Sequence, residues 1–366
     1  MSPHTPQSIV VPYEPDALPT QLIRLGHPEV WERWRAVDRS AHAPHIVAVS
    51  GDSGEDWTAA ALVTARPNTA YLKIVDAVGD VPAAVSAVVD HGRRRGLAQL
   101  KWEGWTASPE DAAAAGFTAL SPPLTQSEGA AGPDAGYVRW LCDGVVTEPP
   151  YYGQTTHFTC GAVTALVAQA HAGTLPWEAL DREAELRLWR DATNFFACEP
   201  VGLGVALHRA WPASPVTVHL DTDRPVLLGH YPENDQEWRA LLQRASRTDA
   251  ERERVPVDPR RLSLTAIRDA IGRREHVLLL LSLAGMQGFE VPHWVLCHGT
   301  VPGAVVIEDP WANAATGDTW VDAHLLPVPD PSLDTMSVIS PEDFRGAVTI
   351  GDPRRRDMPG TDPAGE

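Results

Sequence analysis

A polar loop that delivers a cysteine onto the start of an apolar helix is the most informative stretch of the chain. The loop is Tyr152-Gly-Gln-Thr-Thr-His-Phe-Thr, and Cys160-Gly-Ala-Val-Thr-Ala-Leu-Val-Ala-Gln-Ala follows it. The positive end of a helix dipole and the N–H groups of the first turn stabilise a thiolate, which is the reactive form of cysteine. Cys160 is therefore predicted to be a nucleophile. Gln154 can donate an amide N–H to a developing oxyanion, and Gly161 leaves room for a substrate backbone.

Two strand-like segments supply a base and an orienting acid, which a cysteine nucleophile needs. A strand-like run within residues 292–299 starts at His293, and after a turn at Pro302-Gly303 an apolar segment runs into Asp309. Two paired strands of this length place His293 and Asp309 side by side. The separation of Cys160 and His293 falls in the range of about 130–150 residues expected for papain-like enzymes. His293 would take the thiol proton, and Asp309 would hold the imidazole in its useful tautomer.

Other histidines, acids and cysteines fit this scheme less well. His298 faces the opposite side of a continuous strand from His293, and Glu308 points away from the predicted pair, because side chains alternate along a strand. His157 is expected to be a surface or substrate contact. Cys160 could instead be a buried structural thiol, since free cysteine is among the most buried residue types. The remaining cysteines are expected to be structural: Cys142, Cys198 and Cys297.

The patterns of strands and helices predict two domains. An α/β module is expected at residues 18–123 and an α+β domain at 151–350. Residues 1–17 would be an extension, 124–150 a linker rich in Pro, Gly, Ser and Ala, and 351–366 a disordered tail. A strand at 137–141 fits either domain. In the module, strands are expected at 46–49, 60–64, 70–75 and 97–102, with helices at 81–95 and 109–117, the second capped by Ser108.

Charge and cysteine content exclude several classes of protein. There are 30 Lys and Arg residues against 48 Asp and Glu, a net charge of −18, so no dense basic surface is expected for nucleic acid. The first residues lack the pattern of a secretory signal, and the most apolar segment, 276–284, is too short to span a bilayer. Four cysteines without a CxxC pair argue against a disulfide scaffold or a zinc ribbon. We expect a cytoplasmic protein with neither a nucleic-acid nor a membrane partner.

The order Gln-Cys-Gly at 154–161, His-Trp-Val at 293–295 and Asp-Pro-Trp at 309–311 resembles the bacteriocin leader peptidases. These are papain-like domains that trim double-glycine leader peptides, and the likeness is closer to their stand-alone relatives that lack a transporter. The resemblance covers roughly residues 151–350. It implies Cys160 as nucleophile, His293 as base, Asp309 as orienting acid and Gln154 as oxyanion donor.

Two further segments bear on that resemblance. Residues 185–193 and 200–207 are similar to a helical insert that the stand-alone relatives carry. The sequence contains no Walker A loop and no transmembrane run, so export coupled to processing is not supported.

The N-terminal module looks like the core of a GNAT acetyltransferase. Residues 60–75 resemble its central strands and 81–96 its cofactor-facing helix. The Gly-rich pyrophosphate loop of that family should precede the helix, but this chain has Ala77-Val-Gly-Asp-Val-Pro82. One glycine, an added acid and a proline make a poor phosphate cradle, so acetyl-CoA binding is not expected. No cofactor or metal is predicted.

Taken together, the residues predict acyl transfer through a Cys160 thioester. Peptide-bond hydrolysis in precursor or leader-peptide processing is the first interpretation. A papain-like acyltransferase or transpeptidase with an amine acceptor and a non-catalytic peptide-binding module are the alternatives. The expected partner is a peptide or a small amine-bearing substrate, and the N-terminal module is a candidate for recognising that substrate or a partner protein.

Several residues are candidates for contact with substrate. Trp294 and Trp311 flank the proposed histidine and acid and could shield their hydrogen bond from water. Glu185 and Arg190 either form a buried pair or contact the substrate. The complete set of candidates is Gly161, Glu185, Arg190, Trp294 and Trp311.

Overall fold

The computed structural model describes residues 8–51, 56–125, 132–192 and 197–351. Backbone contacts divide the chain into two compact units. The first comprises Met1–His157, Leu281–His293 and Gly299–Met336, and the second comprises Phe158–Leu280, Trp294–His298 and Ser337–Glu366. The linear boundaries expected from the sequence remain a prediction. Residues 1–7 of the predicted extension and 352–366 of the predicted tail lie outside the described residues.

A seven-stranded mixed sheet occupies the N-terminal part of the first unit. Its strands are β1 (Ser8–Pro12), β2 (His45–Ser50), β3 (Trp57–Thr64), β4 (Tyr71–Gly79), β5 (Gln99–Glu103), β6 (Thr118–Ala119) and β7 (Gly136–Trp140). They lie in the order β1-β2-β3-β4-β5-β7-β6. All neighbouring pairs are antiparallel except β4 and β5, whose parallel pairing places Ile74 opposite Trp102.

Helices pack on both faces of this sheet. They are α1 (Thr20–Ile23), α2 (Pro28–Arg35), α3 (Val81–Arg94) and α4 (Pro109–Ala114). The crossover between the parallel strands runs through α3, as a parallel pair requires. Val88 of α3 packs in one core with Leu72 and Leu100, and Trp34 of α2 packs in another core with Ile46.

The helix cap expected at Ser108 is confirmed. The Ser108 hydroxyl accepts a hydrogen bond from the Asp111 N–H and caps α4. The α/β module expected from the sequence is confirmed. Strand β1 lies in the stretch expected to be an extension, and the strand expected at 137–141 belongs to the first sheet as β7.

A second seven-stranded sheet is built from later residues. Its strands are β8 (Val216–Leu220), β9 (Val257–Asp258), β10 (His276–Ser282), β11 (Pro292–Val301), β12 (Ala304–Glu308), β13 (Leu326–Pro329) and β14 (Gly346–Ile350). Their order is β13-β12-β11-β10-β14-β8-β9. The β10/β14, β14/β8 and β12/β13 pairs are antiparallel, with Ala304 opposite Pro329, and β8/β9 is parallel.

Eight helices accompany this sheet among the described residues. They are α5 (Cys160–His171), α6 (Arg182–Ala192), α7 (Pro200–Ala210), α8 (Glu233–Glu253), α9 (Leu264–Gly272), α10 (Ala284–Gln287), α11 (Trp320–Ala323) and α12 (Asp330–Met336). Nearly all of α5 is buried, as its apolar composition predicts. The α+β class expected for this part of the chain is confirmed.

The expected helical insert corresponds to α6 and α7, and Thr193 at the end of its first segment lies outside the described residues. None of the helices described combines the length and apolar character that crossing a lipid bilayer demands.

Candidate active site

His293 and Asp309 meet in the first unit. His293 is the second residue of β11, Asp309 directly follows β12, and a two-residue turn joins these strands. His293 Nε2 lies 2.7 Å from Asp309 Oδ1, and both side chains are buried. Because the carboxylate accepts this hydrogen bond, the neutral imidazole carries its proton on Nε2. The strand pattern brings together the two residues that it was expected to bring together.

Two further groups hold the Asp309 carboxylate. The Trp311 backbone N–H donates to Oδ1 at 2.8 Å, and Arg66 Nη1 donates to Oδ2 at 2.7 Å. Burial by itself would raise the pKa of Asp309, but the charges of His293 and Arg66 and the hydrogen bonds outweigh it. The pKa of Asp309 therefore lies below its ordinary value, and the group is an anion at neutral pH.

Arg66 follows β3 in the N-terminal module and is almost completely buried. Besides Asp309, its guanidinium donates to Asp318 Oδ2 at 3.1 Å from Nε and to the Trp311 carbonyl at 3.1 Å from Nη2. Sequence reasoning missed Arg66. Its only local signal is a cation directly after an apolar strand, which says nothing about a partner more than 240 positions away.

A wider set of buried charges lies in the same unit. Lys73 of β4 donates to Glu103 at 2.7 Å and also to Asp322, while Tyr71 donates to the other oxygen of Asp322 at 2.7 Å. Lys101 of β5 donates to the carbonyls of Asp322 and His324. The cations of the N-terminal strands thus face acids and carbonyls of residues 309–324.

Cys160 is the first residue of α5, in the second unit, and its side chain is buried. A Cβ built on the next residue, Gly161, would lie 3.0 Å from Trp294 Cδ1 and 3.1 Å from Cys198 Cβ. The space beside Gly161 is therefore filled by protein, so close packing accounts for this glycine. The expected approach of a substrate backbone at Gly161 remains a prediction.

Gln154, in the first unit, is buried with its amide held in place. Its backbone N–H donates to the Pro310 carbonyl at 2.7 Å, and its side-chain Nε2 donates to the Thr156 carbonyl at 2.8 Å. Among the described residues, Oε1 has no hydrogen-bond partner. The Thr156 contact fixes the direction of the amide and leaves Nε2 a second hydrogen to donate.

With this geometry in view, a comparison with protein families decides the affiliation. The model described as DUF3335, Peptidase_C39 like family, matches residues 149–351, more than half of the chain. The chain belongs to the Peptidase_C39 like family. This confirms the resemblance to papain-like leader peptidases at the level of C39-like peptidases.

Solved structures match both parts of this C39-like protein. A Bacillus anthracis protein described as a C39-like peptidase is 10% identical over 57% of this chain and 97% of its own, with a TM-score of 0.31. A GNAT-family acetyltransferase from Staphylococcus aureus Mu50 is 8% identical over 37% and 99%, with a TM-score of 0.27. The ribosomal-protein-S18-alanine N-acetyltransferase of Escherichia coli is 12% identical over 42% and 100%, with a TM-score of 0.26. No curated protein matches the sequence.

Trp294 and Trp311 have different environments in the C39-like protein. Trp294 is buried in the second unit, where its Nε1 donates to the Cys198 carbonyl at 2.9 Å. Its expected part in substrate contact remains a prediction. Trp311 is half-buried and packs edge-to-face on Phe289, with ring centroids 5.8 Å apart, so it remains a candidate for substrate contact.

Glu185 and Arg190 both belong to α6 but have opposite environments. Glu185 is fully buried and accepts a hydrogen bond from the Thr159 hydroxyl, next to Cys160 in the chain. Arg190 is exposed, and its guanidinium lies 3.5 Å from Asp191. The buried pair that the sequence allowed between them does not form. Glu185 holds the loop that precedes α5, and its expected contact with substrate remains a prediction.

The other histidines, acids and cysteines occupy the places expected of structural groups. Glu308 bonds to His324, away from His293, and the ring of His298 packs on His171. His157 is exposed. Cys198 and Cys297 are buried, and burial raises the pKa of the Cys297 thiol to about 12.

Replacing Asp309 with asparagine tests the buried pair. A carboxyl with a depressed pKa stabilises the folded state above the unfolded-state pKa of about 4, and this contribution is lost as the pH falls through the folded-state value. We expect Asp309→Asn to lower the free energy of unfolding by about 3 kcal/mol at pH 7, because Arg66 and His293 lose a buried partner. The difference from wild type should shrink below about pH 4. Denaturant titrations across the pH range measure it.

Asp90→Asn is the control for that experiment, since Asp90 is an exposed carboxylate on α3. It should change the free energy of unfolding by less than about 0.5 kcal/mol. A deficit for Asp309→Asn that stays constant from neutral to acid pH would contradict the account.

Proposed function

We propose that this C39-like protein is a cysteine peptidase that cleaves a peptide bond through a thioester on Cys160. The observation that carries the proposal is the buried hydrogen bond between His293 and Asp309 in a member of this family. Gln154, Cys160, His293 and Asp309 also follow one another in the order that the leader peptidases use. Precursor or leader-peptide processing is the proposed role.

The proposed reaction has two halves, acylation of Cys160 and hydrolysis of the thioester. Cys160 gives its thiol proton to His293, and the sulfur attacks the carbonyl carbon of the substrate. A C–S bond forms, the C–N bond breaks, and the leaving amine takes the proton from His293. Water then attacks the thioester, passing a proton through His293 back to the sulfur and releasing a carboxylic acid. The ionised Asp309 stabilises the imidazolium in both halves.

Gln154 is the proposed oxyanion donor. Its amide is already oriented by the Thr156 carbonyl, so donation to the oxyanion requires little rearrangement. The half-buried Trp311, with Phe289 against it, would offer an apolar surface to substrate beside His293.

The acyl acceptor separates the proposal from its alternative. With an amine in place of water the same thioester makes the protein an acyltransferase or transpeptidase, because papain-like sites serve both by controlling access of water. The two are distinguished by whether added amines speed the loss of an acyl group from Cys160. The sequence also leads us to propose a peptide or a small amine-bearing molecule as the substrate. We further propose that the N-terminal module recognises this substrate or a partner protein and that the protein is cytoplasmic.

The reactivity of Cys160 tests whether it is a nucleophile. We expect iodoacetamide to alkylate it at least about tenfold faster than Cys142 at pH 6.5, because a thiolate paired with an imidazolium persists below the ordinary thiol pKa. Intact mass and peptide mapping give the rates. Cys142 is the comparison because it is less buried than Cys160, so access of the reagent does not favour Cys160. His293→Ala should remove the advantage, whereas equal rates for both cysteines in wild type would favour the non-catalytic binding module.

Gln154→Ala separates stabilisation of an oxyanion from nucleophilicity. Acylation of Cys160 by an activated ester passes through an oxyanion, and alkylation by iodoacetamide does not. We expect the acylation rate to fall by about 10²–10³ and the alkylation rate to stay within about twofold of wild type. Stopped-flow detection of the released alcohol and mass spectrometry of Cys160 measure the two rates. A parallel loss of both would mean that Gln154 only maintains the structure.

A further inference from the structure

Every donor group of the Arg66 guanidinium is directed at residues that follow β12. Nη1 bonds to Asp309 Oδ2 at 2.7 Å. Nε and Nη2 lie 3.1 and 3.0 Å from Asp318 Oδ2, and Nη2 also donates to the Trp311 carbonyl at 3.1 Å. The side chains of Arg66, Asp309 and Asp318 are fully buried. All three guanidinium nitrogens of Arg66 therefore donate to the segment that carries the acid of the His–Asp pair.

The two oxygens of the Asp309 carboxylate have different hydrogen-bond partners. Oδ1 receives His293 Nε2 and the Trp311 N–H, and Oδ2 receives Arg66. A carboxylate held at one oxygen can rotate about its Cβ–Cγ bond. Bonds at both oxygens fix its plane and so fix the direction in which Oδ1 faces the imidazole.

Arg66 is itself held rigidly. Its backbone N–H donates to the Tyr71 hydroxyl at 3.3 Å, and its carbonyl accepts from the Thr69 hydroxyl at 2.6 Å. Asp318, the second acid on the guanidinium, also receives Gln287 Nε2 at 2.8 Å. An ammonium could not replace this planar fork, because it is a point charge without the fixed geometry that serves two carboxylates and a carbonyl.

We propose that Arg66 is a positioning residue that holds Asp309 in register with His293, so that the N-terminal module completes the catalytic apparatus of the C39-like region. The effect on reaction rests on the proposed function, whereas the effect on the His293–Asp309 bond does not. The family match begins at residue 149 and so does not include Arg66. The proposal gives the N-terminal module a task other than acetyl transfer.

Few other ionisable groups surround this carboxylate among the described residues. Tyr151 is buried close enough for Asp309 to raise its pKa, although burial is the larger cause. His42 Nδ1 lies 3.3 Å from Asp318 Oδ1, and burial lowers the pKa of His42. At neutral pH Arg66 is the cation next to Asp309 on the side away from His293. Its removal should raise the pKa of the carboxyl towards the value that burial favours.

The experiment compares Arg66→Gln, which removes the charge, with Arg66→Lys, which keeps the charge without the fork. Lys101→Met is the control, because it removes another buried basic side chain of the same unit, one that donates to the Asp322 and His324 carbonyls. Two quantities are measured in the full chain. One is the downfield proton resonance of His293 Nε2–H, assigned by its loss in His293→Ala. The other is the ratio of Cys160 alkylation rates at pH 5 and pH 8.

We expect Arg66→Gln to abolish the downfield resonance and to lower the alkylation ratio by about tenfold or more, since Asp309 then protonates at higher pH. Arg66→Lys should lie between this variant and wild type, and Lys101→Met should match wild type in both quantities. If Arg66→Gln does not fold, Arg66→Lys decides the question, because a wild-type resonance and ratio in that variant would overturn the proposal.

Other outcomes separate the two claims. A folded Arg66→Gln with an unchanged resonance, or a Lys101→Met that loses the resonance to the same extent, would overturn the positioning role. If wild-type Cys160 reacts no faster than Cys142, the proposed function fails. The resonance still decides in that case whether Arg66 holds Asp309 against His293.

Discussion

The buried carboxylate of Asp309 is the group on which the polar interior of the first unit depends. It lies away from water, where an ionised carboxyl is costly unless it is paired and hydrogen-bonded. Three donors meet that requirement: His293 Nε2, the Trp311 N–H and Arg66 Nη1. Together they keep the pKa of Asp309 below its ordinary value in spite of burial. The same contacts that stabilise the buried charge of Asp309 therefore also orient its carboxylate towards the imidazole of His293.

This arrangement extends into a larger set of buried charges. Lys73 lies between Glu103 and Asp322. Burial opposes ionisation of Asp322, but the charges of Lys73 and Arg66 outweigh it and lower the pKa of Asp322. Lys101 has only carbonyls as hydrogen-bond partners among the described residues, and burial lowers its pKa to about 7. The strands β4 and β5 thus supply lysines where residues 309–324 supply acids and carbonyls.

Local patterns in the sequence predicted what local physics determines. The cap at Ser108, the buried helix after Cys160 and the strand–turn–strand that joins His293 to Asp309 depend on near neighbours in the chain. Contacts between distant segments could not be predicted in the same way. The ion pair of Arg66 and Asp309 joins positions 243 residues apart, and no spacing rule reaches that far. The hydrogen bond from Trp294 Nε1 to the Cys198 carbonyl joins positions 96 residues apart and has no local signal either. The 21-residue helix α8 is mostly polar and lacks the apolar stripe from which a helix is predicted.

A double-mutant cycle between Arg66→Gln and Asp309→Asn tests most directly whether these two side chains form the central interaction. The free energies of unfolding of wild type, both single variants and the double variant come from denaturant titrations at pH 7. Direct contact predicts a coupling energy of about 1.5–3 kcal/mol, because removal of either partner already forfeits the pair. Additivity to within about 0.5 kcal/mol would contradict the account, since it would mean that the two residues stabilise the fold independently.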